Sequence, residues 1–377
     1  MDFTLTDNQR AISDLAGTIL AERCPPDVLR TLEAADDRLA SDAWMALARA
    51  DLLGLGLPDE DGGSGLGLLD VALVAEQVGR HVALVPFWAS TAAAATVSRW
   101  GSAALRWRWL PGAVEGTAPL SVALWEPGAL GTTTRPSTTA VADGDGWRLD
   151  GTLSPVPWAR HAAAVVVPAA VGEHDVVLVA VEPTAAGLTV VDEEAIDREP
   201  FHTLLLDGVH VDSDAVVVDP ADGAAALLWT AQRTGVLLCA TALGVAEEAL
   251  ALTARHVTER EQFGSPIGTF QAVAHRSADA YIDTEAIRLT TWQAAWRLDA
   301  GLPADEALAI AAFWVAEGGQ RVVHAAQHLH GGIGVDIDYP VHRYFRWAKV
   351  IELLIGGTTG SLLRLGSSLA AQEPVAP

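Results

Sequence analysis

Two short segments in the C-terminal half carry the residues best suited to binding a charged, planar ligand. The first, residues 260–271, contains Arg260, Gln262, Phe263 and Phe270. Glycine and proline interrupt a helical run here, so a helix end, a turn and a helix start fall close together. An arginine fork and an aromatic face presented by such a turn suit a phosphorylated group joined to a planar ring. The alternative is an ordinary interhelical loop in which Phe263 and Phe270 fill the core.

The second segment is rich in glycine and follows another helical run. It has the pattern Gln-x-x-x-Gly-Gly-x-Gly and includes Gln327, Gly331 and Gly332. Glycine allows the backbone to approach a pyrophosphate closely, and the glutamine amide can hydrogen-bond an adenosine. That this segment contacts the same ligand as the first is implied only by the family resemblance given below.

Three histidines in and just before the second segment raise the question of a metal site. His324 and His328 lie four residues apart, a spacing that places two ligands on one helix face, and His330 follows. No acidic or cysteine residue accompanies them in the sequence, and the glutamine and the glycines already account for the segment. We therefore expect no metal.

The composition argues against several classes of protein. The 377 residues carry a formal net charge of −24, which would repel the phosphate backbone of a nucleic acid. Cys24 and Cys239 lie too far apart for a disulfide framework or a thiolate metal site to be expected. The sequence shows no long uncharged apolar run, so no membrane span is predicted. The N-terminus lacks the features of an export signal, which favours the cytoplasm.

The periodicity of the apolar residues divides the chain into three parts. Residues 1–116 are predicted to be helical, and the first helix follows the N-cap Thr6. Residues 117–222 contain β-prone runs separated by Gly, Pro and Asp-Gly, and residues 143–146 give a hairpin signal. The remainder is predicted to form a four-helix bundle, with a disordered tail at residues 372–377. The β-prone runs are residues 120–124, 147–149, 164–167, 176–181, 188–191 and 204–211, and the helices are residues 224–260, 271–300, 304–330 (opened by Pro303) and 344–371.

The segment at residues 260–271 resembles the signature of the acyl-CoA dehydrogenase family, Arg-x-x-Phe-Gly-x-Pro-Ile-x-x-Phe-Gln. The pattern Leu-Pro-x-x-x-Gly-Gly-x-Gly at residues 57–65 and the pattern Glu-Gln-x-Gly at residues 76–79 are similar to the N-terminal domain of that family. The resemblance covers nearly the whole chain and implies a mainly α fold with a central β domain. The implied domains are an N-terminal helical domain (1–116), a middle antiparallel β-barrel-like domain (117–222) and a C-terminal four-helix bundle (223–377).

The resemblance also implies a cofactor-binding surface. In the family, these two segments grip the ADP half of an FAD that is bound mainly by the neighbouring subunit. The residues that would do so here are Arg260, Gln262, Phe263, Phe270, Gln327, Gly331 and Gly332.

The positions that contact the flavin ring in the family are altered in this chain. A threonine that bonds the pyrimidine edge of the flavin is replaced by Trp125. A tryptophan and a threonine beside the ring are replaced by Pro155 and Pro157, and proline has neither a hydroxyl nor an N–H to donate. Trp158 can substitute for that tryptophan only through a shift of register.

The glutamate that serves as the base in the family is missing too. Family members use it to remove the α-proton of an acyl-CoA thioester, and its position is occupied here by Gly356, or by Ile355 if the spacing is one residue longer. Other members place the base on the helix before the first segment, and that position is Thr234. Glu352, one turn before Gly356, would face elsewhere on a helix. No catalytic residue is therefore predicted.

In this chain the two ADP-side motifs are intact, whereas the flavin-side positions are altered. In this respect the chain resembles the base-lacking subunit of heterotetrameric acyl-CoA dehydrogenases of actinobacterial type. The resemblance implies a non-catalytic partner in an α2β2 assembly, with FAD shared across the interface. The acyl-CoA, a fatty or steroid side-chain thioester, would bind in the catalytic subunit. Three alternatives stay open: a homo-oligomeric acyl-CoA dehydrogenase with an unrecognised base, a flavin-dependent monooxygenase of the same fold, and a scaffold that binds no flavin.

Overall fold

The computed structural model describes residues 3–370, so the predicted disorder of residues 372–377 lies outside the described residues. Within the described residues the chain forms eleven α-helices and ten β-strands. The helices are α1 Asp7–Arg23, α2 Pro26–Glu33, α3 Ser41–Arg49, α4 Leu68–Arg80, α5 Phe87–Trp100, α6 Ala103–Val114, α7 Pro220–Glu259, α8 Gln271–Asp299, α9 Asp305–His330, α10 Val341–Leu354 and α11 Gly357–Ala370. The strands are β1 Leu120–Val122, β2 Thr139–Asp143, β3 Gly146–Pro157, β4 Ala164–Val171, β5 Asp175–Val181, β6 Leu188–Glu194, β7 Pro200–Val211, β8 Val216–Val218, β9 Glu261–Gln262 and β10 Ser265–Pro266.

The chain forms two compact units. One consists of the residues up to 28, residues 72–83 and the residues from 235 onward, and the other consists of residues 29–71 and 84–234. The first unit, which we call the helical unit, contains α1 and α8–α11. The second, which we call the sheet unit, contains strands β1–β8. Helices α4 and α7 contribute residues to both units.

The start of the first helix confirms the predicted N-cap. The Thr6 hydroxyl accepts a hydrogen bond from the backbone N–H of Gln9 at 3.2 Å, and the Gln9 side chain accepts one from the backbone N–H of Thr6 at 3.1 Å. This reciprocal pair is a capping box, which satisfies two N–H groups that the helix itself leaves free.

The C-terminal part contains five long helices instead of the four predicted. Helices α7, α8 and α9 match the first three predicted helices within a few residues, although α9 begins at Asp305 and Pro303 therefore precedes it. The fourth predicted helix, residues 344–371, is wrong as a single element because it is divided into α10 and α11. Gly356 and Gly357 have φ values of 92° and 65°, which a continuous right-handed helix cannot adopt.

Strands β1–β8 form one sheet in the order β6-β7-β3-β2-β4-β5-β8, with β1 paired to β4. All six predicted strands exist, and β2 and β8 were not predicted. The expectation of an antiparallel domain needs one correction, because β1 and β2 each pair with β4 in parallel. The predicted hairpin is confirmed, since Asp143 lies opposite Gly146 in an antiparallel pair. The core of the sheet is built mainly from Val, Leu and Ala side chains.

Helix α7 is the longest helix and lies mostly inside the protein. It is the one helix among the described residues that is long and apolar enough to cross a membrane, but 72% of its most apolar stretch is buried within the protein. Its packing against α4 is close, because a Cβ added to Gly244 would lie 1.8 Å from the carbonyl oxygen of Glu76. This burial fits a core helix, for which an apolar composition is ordinary.

Candidate functional site

The first predicted ligand segment forms a tight hairpin between α7 and α8. Strands β9 and β10 pair antiparallel around Phe263 and Gly264, whose φ values are 53° and 82°. Two consecutive residues with positive φ are typical of a type I′ turn, which normally selects Asn or Gly. Phe263 is therefore in an unfavourable backbone conformation, and its side chain is 94% exposed. The interpretation of Phe263 as a core residue is wrong.

The side chains around this hairpin face solvent. The rings of Phe263 and Phe270 meet edge to face, with centroids 6.3 Å apart, and Phe270 is also exposed. Gln262 is exposed and donates its Nε2 hydrogen to the carbonyl oxygen of Glu261 at 2.7 Å. The Arg260 side chain makes no hydrogen bond or ion pair within residues 3–370, so its guanidinium is available to an incoming anion.

The second predicted segment follows the end of α9 and exposes its backbone. Gly331 has a φ of 65°, and a Cβ added at Gly331 or Gly332 would meet no heavy atom within 4 Å. Gln327 lies one turn earlier, and its buried Oε1 atom has no hydrogen-bond partner among the described residues. That oxygen lies beside Gly334. The backbone at Gly331 and Gly332 therefore leaves room for a ligand, and the Gln327 oxygen is an unsatisfied acceptor buried behind it at Gly334.

A stacked pair of imidazoles joins the two segments. The rings of His256, on α7, and His330, on α9, have centroids 4.4 Å apart and an interplanar angle of 25°. The His256 carbonyl accepts a hydrogen bond from the backbone N–H of Arg260 at 2.8 Å, and His330 directly precedes Gly331. The structure therefore brings the Arg260 turn and the glycine segment close together in the helical unit.

His256 and Tyr339 also lie at this surface, although no sequence motif includes them. The Tyr339 hydroxyl lies 3.2 Å from His330 Nε2, and His330 Nδ1 lies 2.8 Å from the carbonyl oxygen of Ala326. A signal for His256 was present, because it lies one helical turn before Arg260. Tyr339 gives no such signal, since its contact with His330 depends on the path of the chain between α9 and α10.

Burial shifts the pKa of each of these groups in the direction that favours its neutral form. It lowers the pKa of His256, and the nearby Arg260 lowers it further. It also lowers the pKa of His330, to which the neighbouring His256 adds a smaller effect in the same direction. Burial raises the pKa of Tyr339. Both imidazoles are therefore neutral at pH 7 in the absence of a ligand.

The residues on this surface fit the ADP half of a dinucleotide. Arg260 offers a free guanidinium to a pyrophosphate, Phe263 offers an exposed ring to a planar group, and Gly331 and Gly332 offer open backbone. The Gln327 oxygen offers an unused acceptor. We call this set, together with Gln262 and Phe270, the nucleotide surface.

The two positions at which the sequence predicted a missing base carry no acid. Gly356 lies in the break between α10 and α11, and Ile355 beside it is buried. Thr234 is buried in α7, where its hydroxyl donates to the carbonyl oxygen of Thr230 at 2.9 Å. Glu352 is held by Lys349, whose Nζ lies 2.6 Å from its Oε2. The described residues at these positions therefore present no unpaired carboxylate.

Of the three predicted flavin-ring positions in the sheet unit, Trp125 and Pro157 are buried and Pro155 is half-buried, and two further buried tryptophans pack nearby. Trp158 is fully buried, and its indole N–H donates to Glu199 Oε1 at 2.7 Å. Trp88 donates to the same oxygen at 3.1 Å. Trp125 is buried as well, and its ring meets that of Trp88 edge to face at 5.9 Å. Trp158 is thus part of the core and does not present a ring surface to a ligand.

Glu199 is the buried carboxyl on which the two indoles converge. Burial raises its pKa to about 7, although the hydrogen bonds from Trp158 and Trp88 act in the opposite direction. The neighbouring Asp197 is also buried, and burial together with Glu199 raises its pKa. Glu199 is therefore largely protonated below about pH 7.

The three histidines of the second segment do not come together. His324 packs edge to face on Phe345, whereas His330 stacks on His256. Residues 3–370 contain no group of three or more His, Cys, Asp or Glu side chains that could hold a metal ion.

The chain matches known proteins along almost its entire length. A family model described as acyl-CoA dehydrogenase, N-terminal domain, matches residues 6–117, and one described as acyl-CoA dehydrogenase, C-terminal domain, matches residues 221–367. The acyl-CoA dehydrogenase FadE27 of Mycobacterium tuberculosis is 38% identical over 98% of this chain and 99% of that protein. The chain therefore belongs to the acyl-CoA dehydrogenase family of FAD-dependent oxidoreductases.

Two solved structures share both the fold and substantial sequence identity. A chain of the ChsE4-ChsE5 complex from Mycobacterium tuberculosis matches with a TM-score of 0.93 and 38% identity, covering 99% of this chain and 100% of that chain. A variant of the steroid acyl-CoA dehydrogenase Tcur3481-Tcur3483 matches with a TM-score of 0.90 and 43% identity, covering 97% of this chain and 99% of that chain. The fold is that of the family.

Replacing Phe263 with asparagine is expected to weaken binding of ADP-ribose to the full chain about tenfold, because the exposed ring on which a base can stack is lost. The same change is expected to raise the free energy of unfolding by about 1 kcal/mol, since asparagine favours the left-handed backbone of this turn. Calorimetric titration measures the affinity, and chemical denaturation measures the stability. Phe263→Tyr keeps the ring and should bind like the wild type. Unchanged affinity in Phe263→Asn would remove the ring from the nucleotide surface.

Proposed function

We propose that this chain is the non-catalytic subunit of an FAD-dependent acyl-CoA dehydrogenase, and that it supplies the ADP-side contacts to the FAD of a catalytic partner subunit. The observation that carries the proposal is a contrast within the chain. The side chains of Arg260 and Phe263 and the glycines at 331 and 332 are exposed, whereas Trp125 and Pro157 at the predicted flavin-ring positions are buried and neither predicted base position carries an acid. A chain built in this way is suited to holding a nucleotide and is not suited to removing a proton from a thioester.

The cofactor of this proposal is FAD, shared across the subunit interface. FAD would accept the hydride that is removed from the acyl-CoA when both are bound in the catalytic subunit. The part of this chain is to bind and orient the cofactor's diphosphate and adenosine through Arg260, Gln327 and the glycines at 331 and 332. The exposed ring of Phe263 would cover the adenosine or the adjoining ribose.

The proposed partner is a catalytic acyl-CoA dehydrogenase subunit in an α2β2 assembly. The similar structures described above are of paired proteins, and one of them is a steroid acyl-CoA dehydrogenase. The chain also has a surface that suits a partner, because Ile282, Leu289 and Trp296 lie seven residues apart along α8 and are all exposed. Side chains at this spacing fall on one face of a helix, and exposed apolar faces of this kind are usually covered in an assembly.

The proposed substrate is a fatty or steroid side-chain acyl-CoA, which would bind in the partner. We also propose three domains with boundaries near residues 116 and 222, which the ranges of the two family matches support. A cytoplasmic location is supported by the free, buried thiols Cys24 and Cys239, since unpaired cysteines are typical of a reducing compartment.

The flavin content of the purified protein tests the proposal. Purified alone, the chain is expected to contain little or no FAD. Co-expressed with a family member that has an intact base, such as the product of a neighbouring reading frame, it is expected to yield one FAD for each pair of subunits. Absorbance at the flavin maximum, divided by the protein concentration of each subunit, measures the ratio.

The same purification separates the alternatives. One tightly bound FAD per chain in the isolated protein, bleached on addition of acyl-CoA, would contradict the proposal and indicate a homo-oligomeric dehydrogenase. Consumption of oxygen that depends on NADH would indicate a monooxygenase. A chain that acquires no FAD with any such partner would indicate a scaffold.

A further inference from the structure

The hydrogen bonds of the stacked imidazoles at the nucleotide surface are those expected of neutral rings. His330 Nδ1 donates to the carbonyl oxygen of Ala326, which can only accept. Its Nε2 atom is therefore left as the acceptor for the Tyr339 hydroxyl at 3.2 Å. The His256 ring makes no side-chain hydrogen bond within residues 3–370 and is positioned by its stacking on His330. Both rings are thus neutral at rest, and each has a nitrogen that can gain a proton.

The charged groups around the pair are few and of both signs. Arg260 and Glu259 act on His256 with opposite effects, and His256 acts in turn on His330. Arg255 and Glu259 act on the adjoining Tyr339. No carboxylate forms an ion pair with either ring among the described residues, and the effect of Arg260 on His256 exceeds the opposing effect of Glu259, so a bound anion would add the stabilisation that an imidazolium lacks here.

We propose that the His256–His330 pair takes up one proton when the diphosphate of a nucleotide binds beside it, so that nucleotide binding strengthens as the pH falls. The inference rests on the proposed function, and it identifies the ligand as a nucleoside diphosphate group, as in the ADP half of FAD. His256 lies one turn from Arg260, and His330 adjoins the open backbone of Gly331. A diphosphate held by these two contacts therefore lies next to both rings.

The physical basis is the mutual attraction between an imidazolium and a bound anion. An opposite charge nearby favours the charged form of an imidazole, so a bound diphosphate makes protonation of the pair easier. Linkage requires the reciprocal effect, in which a protonated pair binds the diphosphate more tightly. Only one proton is expected, because two imidazoliums with ring centroids 4.4 Å apart would repel each other.

The net negative charge of the chain makes an additional positive charge at this site favourable for binding an anion. A formal net charge of −24 opposes the approach of any diphosphate, and Arg260 is the one predicted cation of the nucleotide surface. A proton gained on binding adds a second positive charge at the place where the anion sits. Because the proton is absent from the free chain, it does not leave an unpaired buried cation at rest.

The pH dependence has a definite sign. At a pH above the pKa of the free pair but below that of the bound pair, binding takes up one proton and the affinity falls by up to about tenfold per pH unit as the pH rises. At higher pH neither state is protonated, and the affinity no longer depends on pH.

Titration calorimetry of the full chain with ADP-ribose tests the inference. ADP-ribose carries the same diphosphate as FAD and has no group of its own that titrates near neutral pH. Measured in two buffers of different ionisation enthalpy, the wild type is expected to take up a proton on binding and to lose affinity between about pH 6 and pH 8. The double variant His256→Phe with His330→Asn keeps an aromatic ring and an N–H donor but cannot titrate. It is expected to bind without proton uptake and with an affinity independent of pH.

The outcomes distinguish this inference from the proposed function. Binding of ADP-ribose without proton uptake, or uptake that persists in the double variant, would overturn the inference and leave the proposed function standing. Failure of the folded chain to bind ADP-ribose would overturn the inference too, while the flavin content of the co-purified complex decides the proposed function separately. His174→Phe changes a histidine in the sheet unit whose side chain is 89% exposed, and it serves as the control that should retain the wild-type uptake.

Discussion

Replacing Arg260 with alanine is expected to reduce the affinity of the assembled two-subunit complex for FAD by about 100-fold, or about 3 kcal/mol. The guanidinium is exposed and has no partner of its own within residues 3–370, so all of its hydrogen-bonding capacity is available to the diphosphate. A charge-assisted, forked contact of this kind is among the strongest that a single side chain provides. Fluorescence titration of the FAD-depleted complex measures the dissociation constant.

Two further variants show whether the effect belongs to the site. Arg260→Lys keeps the charge but not the planar fork, and it is expected to recover part of the lost affinity. Arg135→Ala removes an exposed arginine from the sheet unit and is expected to leave the affinity unchanged. Equal affinities in Arg260→Ala and the wild type would show that the diphosphate is held elsewhere, and the proposed ADP-side role of this chain would then fail.

The two turns of the nucleotide surface could be predicted from the sequence because their signals are local. Gly264 and Gly331 adopt positive φ values, and such glycines are recognisable from turn chemistry alone. The exposure of Phe263 could not be predicted in this way, since an aromatic residue in a loop is as compatible with the core as with a ligand site. The contacts of His256 and Tyr339 depend on how distant parts of the chain pack, which no local pattern encodes.

The same distinction explains the corrections to the fold. The break at Gly356 and Gly357 interrupts a run whose apolar periodicity continues on both sides, so the periodicity alone predicted one helix. Strand β2 is mostly exposed and lacks an apolar face, and β8 is three residues long, so neither gave a strand signal. The parallel pairing of β1 and β2 with β4 is non-local, because it depends on connections that return the chain to the end of the sheet at which the earlier strand began.

Replacing Glu199 with leucine is expected to lower the free energy of unfolding by about 4 kcal/mol, which makes it the most damaging single change considered. Its Oε1 atom accepts the indole N–H groups of Trp88 and Trp158, and both rings are buried. Leucine would leave two buried donors without an acceptor, and each costs about 1–3 kcal/mol. Glu199→Gln retains a carbonyl oxygen in the same place and is expected to be close to the wild type near pH 5. Chemical denaturation at that pH measures both.

The dependence of stability on pH tests the protonation state of the same carboxyl. Burial raises the pKa of Glu199 from its ordinary 4.5 to about 7, so the folded chain holds a proton that the unfolded chain has released. Stability is therefore fully present below about pH 4.5 and falls as the pH rises through about 7, by roughly 3 kcal/mol. Glu199→Gln cannot lose this proton, and it is expected to be more stable than the wild type at about pH 8.

In Glu199→Gln the free energy of unfolding is expected to fall less steeply with rising pH than in the wild type, but still to fall. Burial also raises the pKa of Asp197, and burial together with the nearby Glu247 raises that of Glu76 to about 8, so these carboxyls act with the same sign. Denaturation curves between about pH 5 and pH 8 therefore separate the share of Glu199 from the rest. If the variant and the wild type lost stability in parallel, the indoles of Trp88 and Trp158 would be held by a carboxylate that is already ionised. The buried tryptophans would then depend on a permanent charge, and the protonated state of Glu199 would play no part in holding Trp88 and Trp158.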